Sequence, residues 1–268
     1  MGSSTISLGL GLGGGKAATS SGRLPAGGGF ANAYSVNFDK TDDHATGSVA
    51  SNTEIYGISA WARPSAEITQ VFGDGSVVNC VLGWGDTRWG LMLGPASQTS
   101  IISCRINGTN TTYQYKPASG TVTFPANTWM HVMTQWVDSS STDSGNAGYD
   151  IWLNGTKVGN AVQSAPGTPV RGELKTAGFT IGSRVNGSYW FGGQIDEISV
   201  FSSAVSDANI ATIYNSGVPG DLTDLNPFNW WRMGDSDGGT GTTITDLGSA
   251  GRDLTLVNGP TFSSEVPS

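Results

Sequence analysis

Charged side chains are scarce in this sequence. Asp, Glu, Lys and Arg make up 13% of its 268 residues, whereas a typical soluble domain carries roughly 25%. The net charge is −8, and the few Lys and Arg residues are scattered, so the chain lacks a basic patch for nucleic acid or for an anionic membrane. We therefore expect neither nucleic acid nor a membrane as a partner.

The sequence also has no apolar run long enough to cross a membrane. Its first residues, MGSSTISLGLGLGGGKAATSSG, lack a basic region, and glycines interrupt their apolar stretch too often for a signal peptide. The expectation is synthesis in a cytoplasm without export by that route. An uncharged polar surface is nevertheless typical of extracellular or virion proteins, and a virus particle assembled in a host cytoplasm would reconcile the two.

Cysteines number only two, Cys80 and Cys104. They lie in VVNCVLGWG and SIISCRING, and a third strand-like run, RWGLML, stands between them. In a meander the outer strands lie two spacings apart, roughly 9–10 Å, whereas a disulfide needs Cα atoms within about 7 Å. We predict two free thiols.

Familiar catalytic motifs are missing as well. The two histidines, His44 and His131, are isolated in the sequence. The chain has no G-x-S-x-G elbow, no H-E-x-x-H pair and no phosphate-binding loop. No cofactor is predicted.

Glycine is abundant, with 40 residues, and it punctuates about a dozen short strand-like runs from Tyr34 onward. Alternating runs separated by Gly, Asn and Pro breaks predict a β-sandwich over residues 34–268. Asn154-Gly155 predicts a type I′ hairpin. One helix is predicted, with Ser206 as N-cap and Gly217 just beyond its C-terminus.

Residues 1–33 have a different composition, rich in Gly, Ser and Ala. Such a segment cannot bury enough apolar surface to order itself. Its apolar residues alternate on one side of an extended chain, which suits a strand added to a neighbouring subunit: Ile6, Leu8, Leu10 and Leu12. We predict an attachment arm; packing on its own sandwich is the alternative.

Several motifs occur in a recognisable order: GISAWARP, NTWMHVMTQW, IWLNGTKVG, FTIGS and FGGQIDEISVFSSAVSDANIATIYNSG. Over residues 34–265 this order resembles a laminin-G-like module of the concanavalin A-like jelly-roll family, which includes the pentraxins. The resemblance implies an all-β, two-sheet antiparallel jelly-roll sandwich with one short helix after the last long strand. In that family, loops of the sandwich can bind sugar or calcium.

Two adjacent acids, Asp196 and Glu197, lie in the strand GGQIDEISVF. Strand alternation predicts that they face opposite sides of the sheet and cannot act as a pair. Related glucanases carry an E-x-D-x-x-E arrangement, and the corresponding positions here hold Gln194, Asp196 and Ser199. Because both glutamates are missing, the chain is predicted not to be an enzyme.

Calcium requires six to eight oxygen ligands, and the acid-rich stretches offer only scattered carboxylates. The pentraxin-type calcium loop corresponds to RVNGSYW, which holds no acid. We predict no metal and interpret these acids as turn residues: Asp42, Asp43, Asp138, Asp143, Asp150, Asp235 and Asp237.

The aromatic residues divide into two groups. Trp61, Trp129, Trp136 and Trp152 alternate with polar residues and are predicted to pack in the core. A second group flanks loops. Together with a nearby acid and a nearby arginine, its members are candidates for contact with a glycan or with another subunit: Trp84, Asp86, Arg88, Trp89, Tyr189 and Trp190.

Three functions remain open. The preferred prediction is a bacteriophage virion structural protein, either a head decoration protein or a fibre subunit, on the virion surface. It would form a homo-oligomer, attach through the arm to capsid or tail proteins and contact host polysaccharide. The alternatives are a carbohydrate-binding adhesin and a glycan-active enzyme.

Overall fold

The structure is a computed structural model. It describes residues 30–67, 79–84, 90–93, 102–105, 112–115, 124–137, 148–163, 172–174, 176–185, 187 and 189–268. The strands of the first half are β1 (Ser35–Asp39), β2 (His44–Gly47), β3 (Thr53–Ile55), β4 (Gly57–Pro64), β5 (Asn79–Trp84), β6 (Gly90–Leu93), β7 (Ile102–Arg105), β8 (Thr112–Tyr115) and β9 (Met130–Val137).

The second half holds β10 (Gly148–Leu153), β11 (Thr156–Gln163), β12 (Gly172–Leu174), β13 (Phe179–Ile181), β14 (Gly192–Phe201), α1 (Asp207–Tyr214), β15 (Asn229–Trp231), β16 (Thr243–Ile244), β17 (Leu254–Val257) and β18 (Thr261–Ser263). Two single-turn 3-10 helices follow α1, at Asn215–Gly217 and Thr223–Leu225.

The strands form two large antiparallel sheets, and β3 pairs with β12 in a separate two-stranded sheet. The first sheet has the order β18-β1-β14-β4-β9-β10-β11, with β15 paired to one end of β14. The second has the order β16-β17-β2-β13-β5-β6-β7-β8-β11, so that β11 belongs to both. The predicted all-β antiparallel sandwich is confirmed.

The main core lies between the sheets and contains alternate residues of their strands. Ile195, Ile198 and Val200 of β14 pack there with Ala60 and Ala62 of β4. A second apolar cluster covers the opposite face of the first sheet, where α1 and the segments after it pack on β9, β10 and β14. The first sheet is therefore buried on both faces.

The hairpin between β10 and β11 follows from its two turn residues. Asn154 and Gly155 have φ values of 47° and 71°, which a type I′ turn requires. The register runs from Leu153 opposite Thr156 outward. The hairpin prediction is confirmed.

Helix α1 begins where the sequence predicts and ends earlier. The side chain of Ser206 accepts a hydrogen bond from the backbone N–H of Asn209, as an N-cap does. The left-handed residue that caps the helix is Asn215, with φ 44°, so the helix ends one residue earlier than the placement of Gly217 just beyond its C-cap predicts. Asparagine tolerates this conformation, and the helix stops at the first residue that adopts it.

The segment after α1 adds strands to both sheets. β15 and β18 pair with β14 and β1 in the first sheet, and β17 pairs with β2 in the second. Within the described residues, no helix is long and apolar enough to cross a membrane.

Candidate functional site

The two adjacent acids of β14 lie at an irregularity in the strand. The pairing of β14 with β4 shifts register between Asp196 and Ser199, and Glu197 has a φ of 45°. Ile195 and Ile198, on either side of the acids, both face the main core. Asp196 and Glu197 therefore point to the same face of the sheet, and the prediction of opposite faces is wrong because a β-bulge inserts one residue.

Behind the bulge, the carboxylate of Glu197 is bound by two side chains from the segment that starts with β15. Arg232 donates from Nε to Oε1 at 2.8 Å, and Trp230 donates from Nε1 to Oε2 at 2.7 Å. Arg232 also forms an ion pair with Asp235. Burial raises the pKa of Glu197 to about 7, against the lowering effect of Arg232. We call Asp196, Glu197, Arg232 and Asp235 the acid–arginine cluster.

The neighbouring Asp196 is 0% exposed. Its carboxylate accepts a hydrogen bond from the Asn32 side chain and one from the backbone N–H of Glu197. Burial, and next the negative charge of Glu197, hold the pKa of Asp196 well above its usual range. A carboxyl that water does not reach cannot take a substrate without rearrangement, so this pair fits a structural role.

The other glucanase-like positions are equally closed. Gln194 accepts from Arg63 and donates to Ser263, while Ser199 is completely buried. A serine and a histidine also meet, because Ser59 Oγ and His131 Nε2 lie 2.8 Å apart. Both are 0% exposed, so this contact offers no substrate-accessible nucleophile.

Three carboxylates, from Asp39, Asp42 and Asp43, lie within 4.8 Å of one another in the turn after β1. Asp39 accepts hydrogen bonds from the backbone N–H groups of Thr41, Asp42 and Asp43, and Asp43 accepts one from Asp39. Asp39 and Asp43 therefore cap the turn, as their residue type favours. Sequence analysis named Asp42 and Asp43 as turn residues and missed Asp39.

The remaining acids of the predicted turns also bind protein groups. Asp237 accepts from the backbone N–H and the hydroxyl of Thr245. The prediction of a turn is wrong for Asp150, which lies buried inside β10 and forms an ion pair with Lys157 at 2.5 Å. Asp138 and Asp143 lie outside the described residues.

An aromatic patch lies in the loop between β13 and β14. Tyr189 and Trp190 are both partly exposed. The guanidinium of Arg184 lies 4.8 Å from the Tyr189 ring centre, and the rings of His44 and Trp190 are 5.6 Å apart. Val185, in the same loop, is 38% exposed. These five residues form what we call the aromatic patch.

The structure brings the patch together from two elements. β2 supplies His44 as its first residue, and because β2 pairs with β13, His44 lies beside the loop that follows β13. His44 also contacts the backbone carbonyl of Asp42 at 2.9 Å. Sequence analysis predicted Tyr189 and Trp190 as contact residues and missed His44, because nothing in the sequence links residues so far apart.

Of the four other predicted contact residues, one lies within the described part of the chain. Trp84 ends β5, and its backbone pairs with Phe179 of β13. Asp86, Arg88 and Trp89 lie outside the described residues, as do Ile6, Leu8, Leu10 and Leu12 of the predicted arm.

The chain belongs to the laminin G type of the concanavalin A-like lectin/glucanases superfamily, whose family model matches residues 38–211. The resemblance inferred from the motif order is thereby confirmed. Among curated proteins, none matches the chain significantly.

Solved structures share the fold at low identity. One is a Bacteroides ovatus protein to which carbohydrate binding has been assigned without proof; it is 16% identical, with a TM-score of 0.56. The match covers 88% of this chain and 61% of the Bacteroides ovatus chain. A heptameric SAP-like pentraxin from Limulus polyphemus is 11% identical, with a TM-score of 0.47. The match covers 85% of this chain and 96% of the pentraxin chain. Domain 4 of a Geobacillus stearothermophilus extracellular arabinanase, solved with arabinotriose, is 16% identical, with a TM-score of 0.39. The match covers 66% of this chain and 74% of the arabinanase domain.

Proposed function

We propose that this chain is a non-enzymatic carbohydrate-binding domain and that the aromatic patch contacts the sugar. The observation that carries the proposal is the partly exposed Trp190 ring, held against His44 at 5.6 Å beside Tyr189. Aromatic faces held in fixed orientation are suited to stacking on the apolar face of a sugar ring. Membership of a lectin-containing superfamily and the Bacteroides ovatus relative support this class of ligand.

The burial of the strand acids supports binding without hydrolysis. Glycosidases need two carboxyl groups that both reach the scissile bond. On β14 the only carboxylates are Asp196 and Glu197, and both are enclosed by protein groups. A binding domain needs no such pair.

A glycan array followed by calorimetry tests this function. The full chain should bind at least one neutral oligosaccharide with a dissociation constant in the micromolar to millimolar range, about 4–8 kcal/mol, and should leave that glycan intact. Proton NMR shifts of the Trp190 indole should change on titration. Binding that leaves this indole unaffected would assign the sugar to another surface, and release of reducing ends would contradict a purely binding role.

The narrower role, a bacteriophage virion protein with an attachment arm on the virion surface, remains a proposal. It rests on the composition and alternation of residues 1–33. Phe30 and Asn32, at the end of that range, contact the chain's own sandwich. A test of the attachment arm is therefore restricted to residues 1–29.

Limited proteolysis gives that test. We expect rapid cleavage within residues 1–29 in the isolated chain and protection of the same sites in a native assembly examined by electron microscopy. Protection of residues 1–29 in the isolated monomer would instead indicate that the arm packs on its own sandwich.

A further inference from the structure

Residues 30–34 form a short segment that docks on the acid–arginine cluster. The ring of Phe30 stacks on Trp230, with centroids 6.2 Å apart and planes 9° from parallel. The guanidinium of Arg232 lies 4.1 Å from the Phe30 ring centre and also donates to the backbone carbonyl of Ala31. One arginine thus holds two consecutive residues of the segment.

The carboxylates of the cluster hold the rest of the segment. Oδ1 of Asp235 accepts the backbone N–H groups of Ala33 and Tyr34, both at 2.9 Å. Oδ2 of Asp196 accepts from the side-chain amide of Asn32 at 3.0 Å. Residues 30–34 are therefore held by three ionisable side chains of the cluster, those of Arg232, Asp235 and Asp196.

The cluster holds more negative than positive groups. Its three carboxyls face a single guanidinium, which contacts Glu197 and Asp235. Among the described residues, no cation forms a hydrogen bond with Asp196. It is faced by Glu197 from its own strand and by Asp235 from the segment after β15.

In the neighbouring strand β4 the one cation is Arg63, which binds Gln194 and Glu265 and is not bound to Asp196. Trp61 of β4 is the partner of Asp196 in the sheet, and His131 of β9 packs on that tryptophan at 5.1 Å. Burial lowers the pKa of His131 to about 3, so its ring is neutral near physiological pH.

An unpartnered atom at the docking contact indicates where a proton would fit. Oδ1 of Asn32 is buried and has no hydrogen-bond partner among the residues that the structure describes. It belongs to the amide that already contacts Asp196. A protonated carboxyl has one O–H to donate, whereas an ionised carboxylate has none, so protonation of Asp196 would provide a donor at this contact.

We propose that residues 30–34 and the acid–arginine cluster form a pH-responsive clamp, which docks the segment while Asp196 is protonated and loosens it when Asp196 ionises. Ionisation places another uncompensated negative charge in a buried site, and release of the segment admits water to that charge. The clamp sets how firmly the chain before the sandwich is held to it.

The direction of the pH effect follows from burial, which is the largest cause of the raised pKa of Asp196 and outweighs the lowering effect of the hydrogen bond from Asn32. Release of residues 30–34 would remove part of that burial, so we expect the pKa of Asp196 to be higher while the segment is docked. An acid whose pKa is higher in the docked than in the released state favours docking at low pH. That preference is lost as the pH rises from the pKa of Asp196 in the released state to its higher pKa in the docked state. The docking equilibrium constant falls about tenfold for each pKa unit between the two states.

Amide hydrogen exchange in the full chain measures the clamp directly. Protection factors, corrected for intrinsic exchange, should fall at least tenfold for the amides of Ala33 and Tyr34 between pH 5 and pH 8.5, an estimate based on one pKa unit. Amides in the β4–β9 ladder should keep their protection. An Asp196→Asn variant should show no such fall, and Asp224→Asn, an exposed residue in a 3-10 turn, should behave as the unmodified chain.

Each outcome decides the proposal. It is overturned if protection of Ala33 and Tyr34 is constant with pH, if it falls together with the β4–β9 ladder, or if the fall persists in Asp196→Asn. Should that variant not fold, carbon NMR of the carboxyl groups in the unmodified chain replaces it. Agreement of the Asp196 titration midpoint with the loss of protection supports the clamp, and disagreement rejects it.

Discussion

Nε of Arg232 lies 2.8 Å from Oε1 of Glu197, and the two side chains are 4% and 3% exposed. The pair joins β14 to the segment that starts with β15, across 35 positions of sequence. Such a contact does not in itself guarantee stability, since desolvation of both charges opposes it. Removal of one of the two charged side chains is nevertheless costly, because the other charge then stays buried without its partner.

We predict that Arg232→Met lowers the free energy of unfolding by about 3–5 kcal/mol, because Glu197 would then lie buried without its cation. Urea denaturation at pH 7 measures the loss. A second change, Glu197→Gln, in the same chain should restore part of it. The surface ion pair between Arg63 and Glu265 is a control, since Glu265→Gln should cost no more than about 0.5 kcal/mol. Equal costs for both changes would contradict the importance of burial.

A second prediction concerns acid stability. His131 is 0% exposed and burial lowers its pKa to about 3 from an ordinary 6.5. The unfolded chain therefore binds a proton below about pH 6.5 that the folded chain does not, and stability falls with acidification in this window. The expected slope is up to ~1.4 kcal/mol per pH unit.

A His131→Gln variant isolates this effect. It should be less stable at pH 7, because the contact with Ser59 and the packing between Trp61 and Tyr214 are disturbed. The difference from the unmodified chain should shrink by about 2–3 kcal/mol between pH 6.5 and 4.5 and stay constant from pH 7 to 9. A difference independent of pH in the acid range would show that His131 does not titrate as burial requires.

The sandwich could be predicted from local patterns, but the cluster behind β14 could not. Asn154-Gly155 and the N-cap Ser206 act on their immediate neighbours, so the sequence alone indicates them. The rule of alternation fails at Glu197 because a non-glycine residue with positive φ is uncommon and leaves no mark in the sequence. Asn32 reaches Asp196 across 164 positions, and no local pattern encodes such a contact.

The cysteines give a third prediction. β6 lies between β5, which holds Cys80, and β7, which holds Cys104, and both neighbours pair with it. The two backbones are thus two strand spacings apart, roughly 9–10 Å, beyond the reach of a disulfide. Mass spectrometry of the denatured, unreduced chain after alkylation should find two modified thiols. A chain that carries no modified thiol would require a different strand order.

The final prediction tests the aromatic patch. Trp190→Ala should weaken binding of the sugar found on the array by about five- to twelvefold, since loss of one stacked ring removes about 1–1.5 kcal/mol. The melting temperature should change little, because the Trp190 side chain is partly exposed. Trp190→Phe keeps an aromatic face and should retain part of the affinity.

Substitution of an aromatic residue far from the patch serves as the control, because it shows whether loss of sugar binding is specific to the aromatic patch. Tyr56 precedes β4, whose eight residues extend about 26 Å to Pro64. Pro64 pairs with Gly193, just after the patch loop, so Tyr56 lies at the opposite end of the strand. Calorimetry should give Tyr56→Ala the affinity of the unmodified chain. Unchanged binding in Trp190→Ala, or equal losses in both variants, would remove the patch from the sugar site, because an effect that is not confined to the patch cannot come from stacking on its rings.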